Sequence, residues 1–464
     1  MLPVGRMWPS ITVMTEVALQ RSLDKMRAAG ISRPAMDNFA RNWRLCASGD
    51  SGMIPETSIQ PLLDPPQLTC LTIRPGDAQA AMQQTVMIKL NGGLGTSMGL
   101  DRAKTLLPVR DGRTFLDLIV AQVKHARATY RARLPLIFMN SFRTHDDTVD
   151  YLQRYPDLPV GDLPLDFLQS AEPKILADGL SPVEWPADPS LEWCPPGHGD
   201  IYASLLSSGL LDALIDAGFR YASIANGDNL GAAPNADLAG WFAASGAPYA
   251  AEVCPRTIND RKGGHLAIRR SDGQLILRET AQTPAEDLGF FTDEHRHPYF
   301  HTNNLWLNLV QLRDTLTERG GVLGLPLICN RKSVDPADPA TPEVIQLETA
   351  MGAAIEVFPG AAAVAVGRDR FLPVKTTNEL MLLRSDVFQL GRDGRLTAVT
   401  TIPEIALDPD HYKLIQDFNR LVQVVPSLAS ARSLRVQGEW HFEEPCRISG
   451  DLELSDSGRP QWYR

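Results

Sequence analysis

The chain has 464 residues, 44% hydrophobic and 22% charged, which at about 150 residues per domain implies roughly three folding units and excludes a disordered, collagen-like or coiled-coil chain. Its 55 acidic residues outnumber 45 basic ones, giving a net charge of −10, so the chain is a poor candidate for non-specific nucleic-acid or anionic-membrane binding, each of which needs a basic face. The six cysteines, at 46, 70, 194, 254, 329 and 446, include no C-x-x-C pair, which excludes a zinc knuckle and suits a reducing cytosol better than a disulfide framework.

The first segment, Met1 to Thr15, contains Pro3 and Pro9 and lacks the basic-then-apolar order of a secretory leader. No apolar run approaches the ~18 residues that span a bilayer. A cytoplasmic protein is expected. Residues 16 to 47 read as helix, with Val17, Leu19, Leu23, Met26 and then Met36, Phe39, Trp43 at helical intervals and a break at Gly30. A loop rich in Pro, Gly and Ser follows from Ser48 to Pro66. Val86 to Leu90 is a short apolar run suited to a buried parallel strand, and it ends in a glycine cluster, Asn91 to Gly99. Helices are predicted over Thr114–Arg131 and Tyr202–Ala217, and strands over Leu134–Met139, Tyr221–Asn226, Tyr249–Cys254 and Tyr299–Trp306. Strands alternating with helices imply an α/β domain with a largely parallel sheet. After about residue 386 the pattern changes. Asp410–Val422 reads as one more helix, and Leu434 to Leu454 as short strand-like pieces.

The glycine cluster carries chemistry or is only a turn. Glycines after a strand bring backbone N–H groups close to phosphate oxygens. No Gly-Lys-Ser/Thr closes this loop, so it is not a Walker A loop. In a G-x-G-x-x-G reading from Gly93 and Gly95, the third glycine falls on Met98 instead of Gly99, which disfavours a dinucleotide oxidoreductase although Asp117 stands about 20 residues on. Lys104 is either within reach of a loop-bound phosphate or a solvated lysine. Asp228 follows a predicted strand, where ligands of open α/β sheets bind. It suits Mg²⁺ together with phosphate oxygens and water, or it is a turn aspartate within Asn-Gly-Asp-Asn. His295-Arg296-His297-Pro298 has the His-x-His-Pro form of a nucleophilic histidine or is a polar loop before a strand.

Leu90-Asn91-Gly92-Gly93-Leu94-Gly95-Thr96-Ser97-Met98-Gly99 resembles the nucleotide-binding loop of the eukaryotic-type UTP–glucose-1-phosphate uridylyltransferases. Further blocks resemble that family in family order: Met139–Phe142, Pro195–Tyr202, Asn226–Gly231, Lys262–Gly264, Thr302–Trp306, Val344–Ala350 and Arg370–Lys375. The resemblance runs from about residue 56 to 390. It implies a nucleotide-diphospho-sugar transferase-like fold, α/β and Rossmann-like, with a mixed twisted sheet flanked by helices and a short C-terminal β-helix-like region. The implied division is an N-terminal helical segment (1–80), a catalytic domain (81–385) and a C-terminal domain (386–464).

The implied reaction transfers UMP from UTP to glucose 1-phosphate, giving UDP-glucose and pyrophosphate, with Mg²⁺ as cofactor. By resemblance, Lys375 and Lys104 are catalytic. Leu90, Asn91, Gly92 and Gly93 hold the nucleotide through backbone groups, Gln169 and Gly197 meet the uridine part, and His198, Asn226, Gly227 and Asn303 meet the sugar phosphate. Asp228 holds the metal. The Pro-Pro-Gly-His-Gly-Asp loop lacks an apolar face, so His198 is read as a ligand contact, not a core histidine. The family usually carries a larger residue where Gly227 stands, and Leu100–Ala103 departs from its pattern. The alternatives are the same chemistry on galactose or N-acetylglucosamine 1-phosphate, and a non-catalytic UDP-sugar-binding regulator. The short polar ending after Leu454 leads to the expectation of a monomer or dimer.

Overall fold

The strand Thr85–Asn91 is buried on both sides because its apolar residues alternate between two cores. Met87 packs into one apolar cluster with Phe138 and Trp306, while Val86 and Ile88 enter another with Ile137 and Ile224. A strand covered on both faces needs helices above and below it. The computed structural model describes residues 11–49, 52–257, 260 and 263–464.

Seven strands form the central sheet: β1 Thr85–Asn91, β2 Leu136–Asn140, β3 Asp166–Leu168, β4 Tyr221–Asn226, β5 Tyr249–Pro255, β6 Tyr299–Asn308 and β7 Ala362–Ala365. Their order is β7-β5-β6-β4-β1-β2-β3. β4, β1, β2 and β3 run parallel, and β7 runs parallel to β5. β6 runs antiparallel to both β4 and β5. The sheet is therefore mixed, as the resemblance implies. The largely parallel sheet read from strand–helix alternation is corrected by β6, because strand direction depends on the path of the connection and not on the strand's own residues.

The helix Phe115–Tyr130 matches its expected span and begins with a capping box between Thr114 and Asp117. Two other helices are broken. Tyr202–Ala217 is two helices, Ile201–Ser207 and Leu210–Asp216, with Gly209 between them at φ +73°. Asp410–Val422 is Pro409–Tyr412 and Ile415–Leu421. Leu414, between them, is extended at φ −84° and ψ +137° and lies beside the glycine loop, where a Cβ built on Gly99 would lie 3.1 Å from its Cδ2.

At the C-terminus, β8 Glu404–Leu407, β9 Ser427–Val436 and β10 Arg447–Leu454 stack in parallel. Leu407, Val436 and Leu454 lie in register and are all buried. The stack begins one strand before the expected start at Leu434, because β8 is too short to show a period of its own.

A buried ion pair ties the sheet to the loops above it. Glu252 on β5 is fully buried and accepts two bonds from Arg370, at 3.0 and 2.7 Å, plus one each from Trp306 at 3.0 Å and Asn304 at 3.2 Å. Arg370 also donates to the carbonyls of Ala233 and Gly231, at 2.5 and 3.2 Å. Removing one partner of such a pair leaves a buried charge uncompensated. Arg370→Ala is expected to cost about 3–5 kcal/mol, read as a lower denaturant midpoint than that of the wild type. A surface variant such as Arg432→Ala serves as the unchanged control.

Candidate active site

The carboxyl ends of β1 and β4 lie side by side, with Asn226 paired to Leu90. The chain leaves β1 into the glycine loop, where Gly95 and Gly99 take left-handed conformations at φ +70° and +71°. The Asn91 side chain is buried, donating to Asn140 at 2.7 Å and Thr148 at 2.9 Å and accepting from Thr105 at 2.7 Å. It anchors the loop base, so what it offers a ligand is backbone. Gly92 is crowded: its carbonyl accepts from Ser141 at 2.9 Å, and a Cβ there would lie 2.6 Å from Gln169 Oε1. Gln169 in turn donates to the Gly197 carbonyl at 3.0 Å. Leu90–Gly93, Gln169 and Gly197, far apart in sequence, are thus one surface.

Asp228 stands in the turn after β4. Gly227 donates its N–H to the Leu90 carbonyl at 2.8 Å, and a Cβ on Gly227 would lie 2.7 Å from Thr105 Cγ2 and 2.9 Å from that carbonyl. The larger residue usual in the family would have to shift this turn. Lys104 reaches across to Asp228 at 2.8 Å and also donates to the Val374 carbonyl. Asn229, next to Asp228, accepts from Leu372 N–H at 2.8 Å and donates to the Arg370 carbonyl at 3.2 Å. These contacts bring the Arg370–Lys375 block to the metal candidate. Lys375 itself is exposed, and among the described residues no carboxylate pairs with it. Its charge is felt at Glu279, whose carboxyl burial raises to about 7 against the opposing pull of Lys375. Nothing in the sequence pointed to Glu279.

His198 is seated on the block Val344–Ala350 and the residue after it. Its Nδ1 accepts the Met351 N–H at 2.9 Å. Gly197, at φ +78°, makes this fit possible, since a Cβ there would lie 2.5 Å from the Thr349 carbonyl oxygen. Burial pushes the His198 imidazole down to about 4, so the ring is neutral near pH 7. With Nδ1 accepting, the proton is on Nε2, which is the donor left for a ligand. His198 is half-buried, in keeping with a loop that has no apolar face of its own, and it rests on the surface that Thr349–Met351 supply. Asn303 sits at φ +60°, where β6 bulges against β5, and donates to Asn226 at 3.0 Å. Asparagine tolerates the left-handed region better than most residues, and here it aims one amide at another. His301, not foreseen as part of this cluster, accepts the Asn303 N–H at 3.2 Å through Nδ1. Its buried Nε2 has no partner among the described residues.

Two other candidates are structural. His297 is 1% exposed, stacks on His265 with ring centroids 3.9 Å apart, and lies 3.2 Å from Glu56. Arg278 and Arg296 also bind Glu56. His297 thus closes a buried ion cluster with Glu56, while His295 two residues earlier is exposed. Asp117 caps its helix and accepts the hydroxyls of Tyr151 and Tyr155, at 2.9 and 2.5 Å, so it is not available to a ribose. Lys262 lies outside the described residues, as does most of the Met1–Thr15 segment. Among the described residues no helix is long and apolar enough to cross a membrane. Nor do any three His, Cys, Asp or Glu side chains there form a metal cage. Asp228 alone fits a hard cation completed by phosphate oxygens and water, the donor set Mg²⁺ prefers.

The profile of the family described as UTP–glucose-1-phosphate uridylyltransferase matches residues 36–448. A UTP–glucose-1-phosphate uridylyltransferase of Solanum tuberosum is 36% identical over 395 residues, 84% of this chain and 80% of that protein. One of Saccharomyces cerevisiae is 38% identical over 375 residues, 80% and 74% of the two chains. Among solved structures, UDP-glucose pyrophosphorylase of Leishmania major, described in open and closed forms, superposes with a TM-score of 0.91 at 41% identity over 97% of each chain. A variant of the same enzyme in complex with UDP-glucose gives 0.90 at 41% identity, over 96% of this chain and 97% of that one.

The buried histidines make stability depend on pH. Burial first, and then the neighbouring His198, lowers the His301 imidazole from 6.5 to about 3. The unfolded chain therefore takes up a proton near pH 6.5 that the folded chain refuses until about pH 3, and stability falls as pH drops through that window. His301→Asn removes this contribution. The thermal midpoint of the wild type minus that of the variant is expected to shrink steadily from pH 7 to pH 4. A constant difference would show that His301 is not held neutral.

Proposed function

The chain belongs to the UTP–glucose-1-phosphate uridylyltransferase family, and from that premise we propose that it transfers UMP from UTP to glucose 1-phosphate, releasing pyrophosphate and forming UDP-glucose. The observation that carries this reading is the meeting of Lys104, Asp228 and the Arg370–Lys375 block beside the glycine loop, at the carboxyl ends of β1 and β4.

An oxygen of the sugar phosphate attacks the α-phosphorus of UTP; that P–O bond forms as the bond to pyrophosphate breaks. The nucleophile is already an anion, so no side-chain base is required. The obstacles are bringing two anions together and stabilising charge on the leaving group, and fixed cations and N–H dipoles meet both. Leu90–Gly93 hold the nucleotide through backbone groups, with Gln169 and Gly197 at the uridine part. Asn226, Gly227, Asn303 and the Nε2–H of His198 orient the sugar phosphate. Lys104 and Lys375 face the phosphates, and Lys104 is held in place by Asp228 and Val374. Asp228 would hold Mg²⁺, which when bound offsets phosphate charge. In this reading residues 81–385 are the catalytic domain, and a chain that works on a soluble nucleotide sugar belongs in the cytoplasm.

Pyrophosphate release from UTP, measured with a panel of sugar 1-phosphates, is expected to be fastest with glucose 1-phosphate and to stop when the divalent cation is chelated. A higher rate with galactose or N-acetylglucosamine 1-phosphate reassigns the sugar; no release with any sugar supports a UDP-sugar-binding regulator. Labelled UTP alone should leave no label on the protein.

Lys375→Ala is expected to lower kcat by about 10²-fold or more with little change in UTP affinity, because a cation aimed at charge that grows in the transition state acts mainly on turnover. A variant that keeps its kcat and loses only affinity would make Lys375 a ground-state binder.

A further inference from the structure

Two thiols meet at the seam between the N-terminal helices and the catalytic core. Cys46 lies in the last turn of the helix Arg33–Ala47 and packs, partly buried, on an apolar cluster that includes Trp43, Leu327 and Leu347. Cys329 lies on the strand Ile328–Ser333, is exposed, and stands opposite Leu347 across the antiparallel pairing with Glu343–Glu348. Opposed residues of an antiparallel pair project from the same face. Cys329 therefore shares the face of Leu347, on which the helix sits. The Cys329 thiol acts on Cys46 across this face, and neither cysteine is in a disulfide. Arg331, two residues along the strand and so on the same face, adds positive charge beside them.

We propose that Cys46 and Cys329 are a redox pair that closes to a reversible disulfide and staples the N-terminal helical layer to the catalytic core. Three of the other cysteines lack this setting: burial raises the thiols of Cys194, Cys254 and Cys446 above the ordinary range. The fourth, Cys70, is exposed on a short turn. At Cys46 the hydrogen bond from Cys329 comes first, burial opposes it and Arg331 adds to it, and the thiol is lowered to about 7. A thiolate that is accessible and next to a resolving thiol is the setting of a redox-sensitive cysteine.

With hydrogen peroxide as oxidant, the Cys46 thiolate attacks one peroxide oxygen. The O–O bond breaks, and hydroxide leaves and is protonated to water. The Cys329 sulfur then attacks the sulfenic sulfur of Cys46; the S–S bond forms and the second oxygen leaves as water. Two thiols are oxidised, two thiol hydrogens are lost, and one peroxide is reduced to two waters. A dithiol reductant reverses the change. The strand paired with that of Cys329 runs into Thr349–Met351, the seat of Gly197 and His198, so the staple holds the helical layer against the platform under the active site.

The test treats the full chain with hydrogen peroxide, blocks remaining thiols with iodoacetamide and maps non-reduced peptides. The expected result is one cross-linked peptide pair containing Cys46 and Cys329, a mass lower by about 2 Da, reversal by dithiothreitol, and a thermal midpoint several degrees higher than in the reduced chain. Cys329→Ser, at an exposed position, and Cys46→Ser should each abolish both the cross-link and the rise while leaving the activity of the reduced chain unchanged. Recovery of both cysteines as alkylated thiols or sulfinic acids, or a cross-link between other cysteines, overturns the assignment. A cross-link with an unchanged midpoint overturns the stapling role.

Discussion

Glu252 is fully buried, and its charge is tolerated because Arg370 meets it with two bonds. Burial by itself would raise the carboxyl. The charge and hydrogen bonds of Arg370, with those of Trp306 and Asn304, overcome it and hold Glu252 ionised. The guanidinium then has donors left over, and these take the carbonyls of Gly231 and Ala233. Lys89, buried in β1 and lowered to about 7 by that burial and by Arg370, takes the carbonyl between them, Ala232. The segment after Asp228 is therefore pinned from below by Arg370 and Lys89. The segment before Lys375 is pinned because it contains Arg370. One buried pair sets the distance between the two loops that carry the charged groups of the site.

The chain is acidic as a whole, yet its active site is proposed to bind two anions. These facts are compatible because charges beyond about 8 Å are largely screened at physiological salt. What the phosphates are proposed to meet is local: backbone N–H groups of the glycine loop, Lys104 and Lys375. Lys104 is held by Asp228 and by the Val374 carbonyl, so it has little rotamer freedom to lose when a phosphate arrives. Preorganisation of this kind is the main resource for a reaction that needs no side-chain base. The exposed position of Lys375 contrasts with this and leaves that lysine able to follow the phosphates.

Several glycines of the site are set by contact and not by turn geometry. At Gly92, Gly197 and Gly227 a Cβ would fall within 3 Å of Gln169, Thr349, and Thr105 or Leu90 respectively. In each case another segment of chain occupies the space. The same closeness explains why His198 is half-buried and not fully exposed: the loop is polar, but Thr349–Met351 pack against it.

The sequence by itself determined the strand–helix alternation, the strand end at Asn226, and the ordered blocks that identify the family, because periodicity and motif spacing are local properties. It singled out Lys104 and Asp228, which the fold brings to 2.8 Å of each other although they are distant along the chain. It did not determine the direction of β6, the breaks at Gly209 and Leu414, or the start of the C-terminal stack at Glu404, since each depends on what lies across from it. His295-Arg296-His297-Pro298 has the form of a nucleophile, and only packing on His265 and Glu56 showed His297 to be core. His301, Glu279 and the facing thiols of Cys46 and Cys329 carried no motif. Their surroundings come from strands and helices remote in sequence, and burial, field and proximity exist only once those elements have packed.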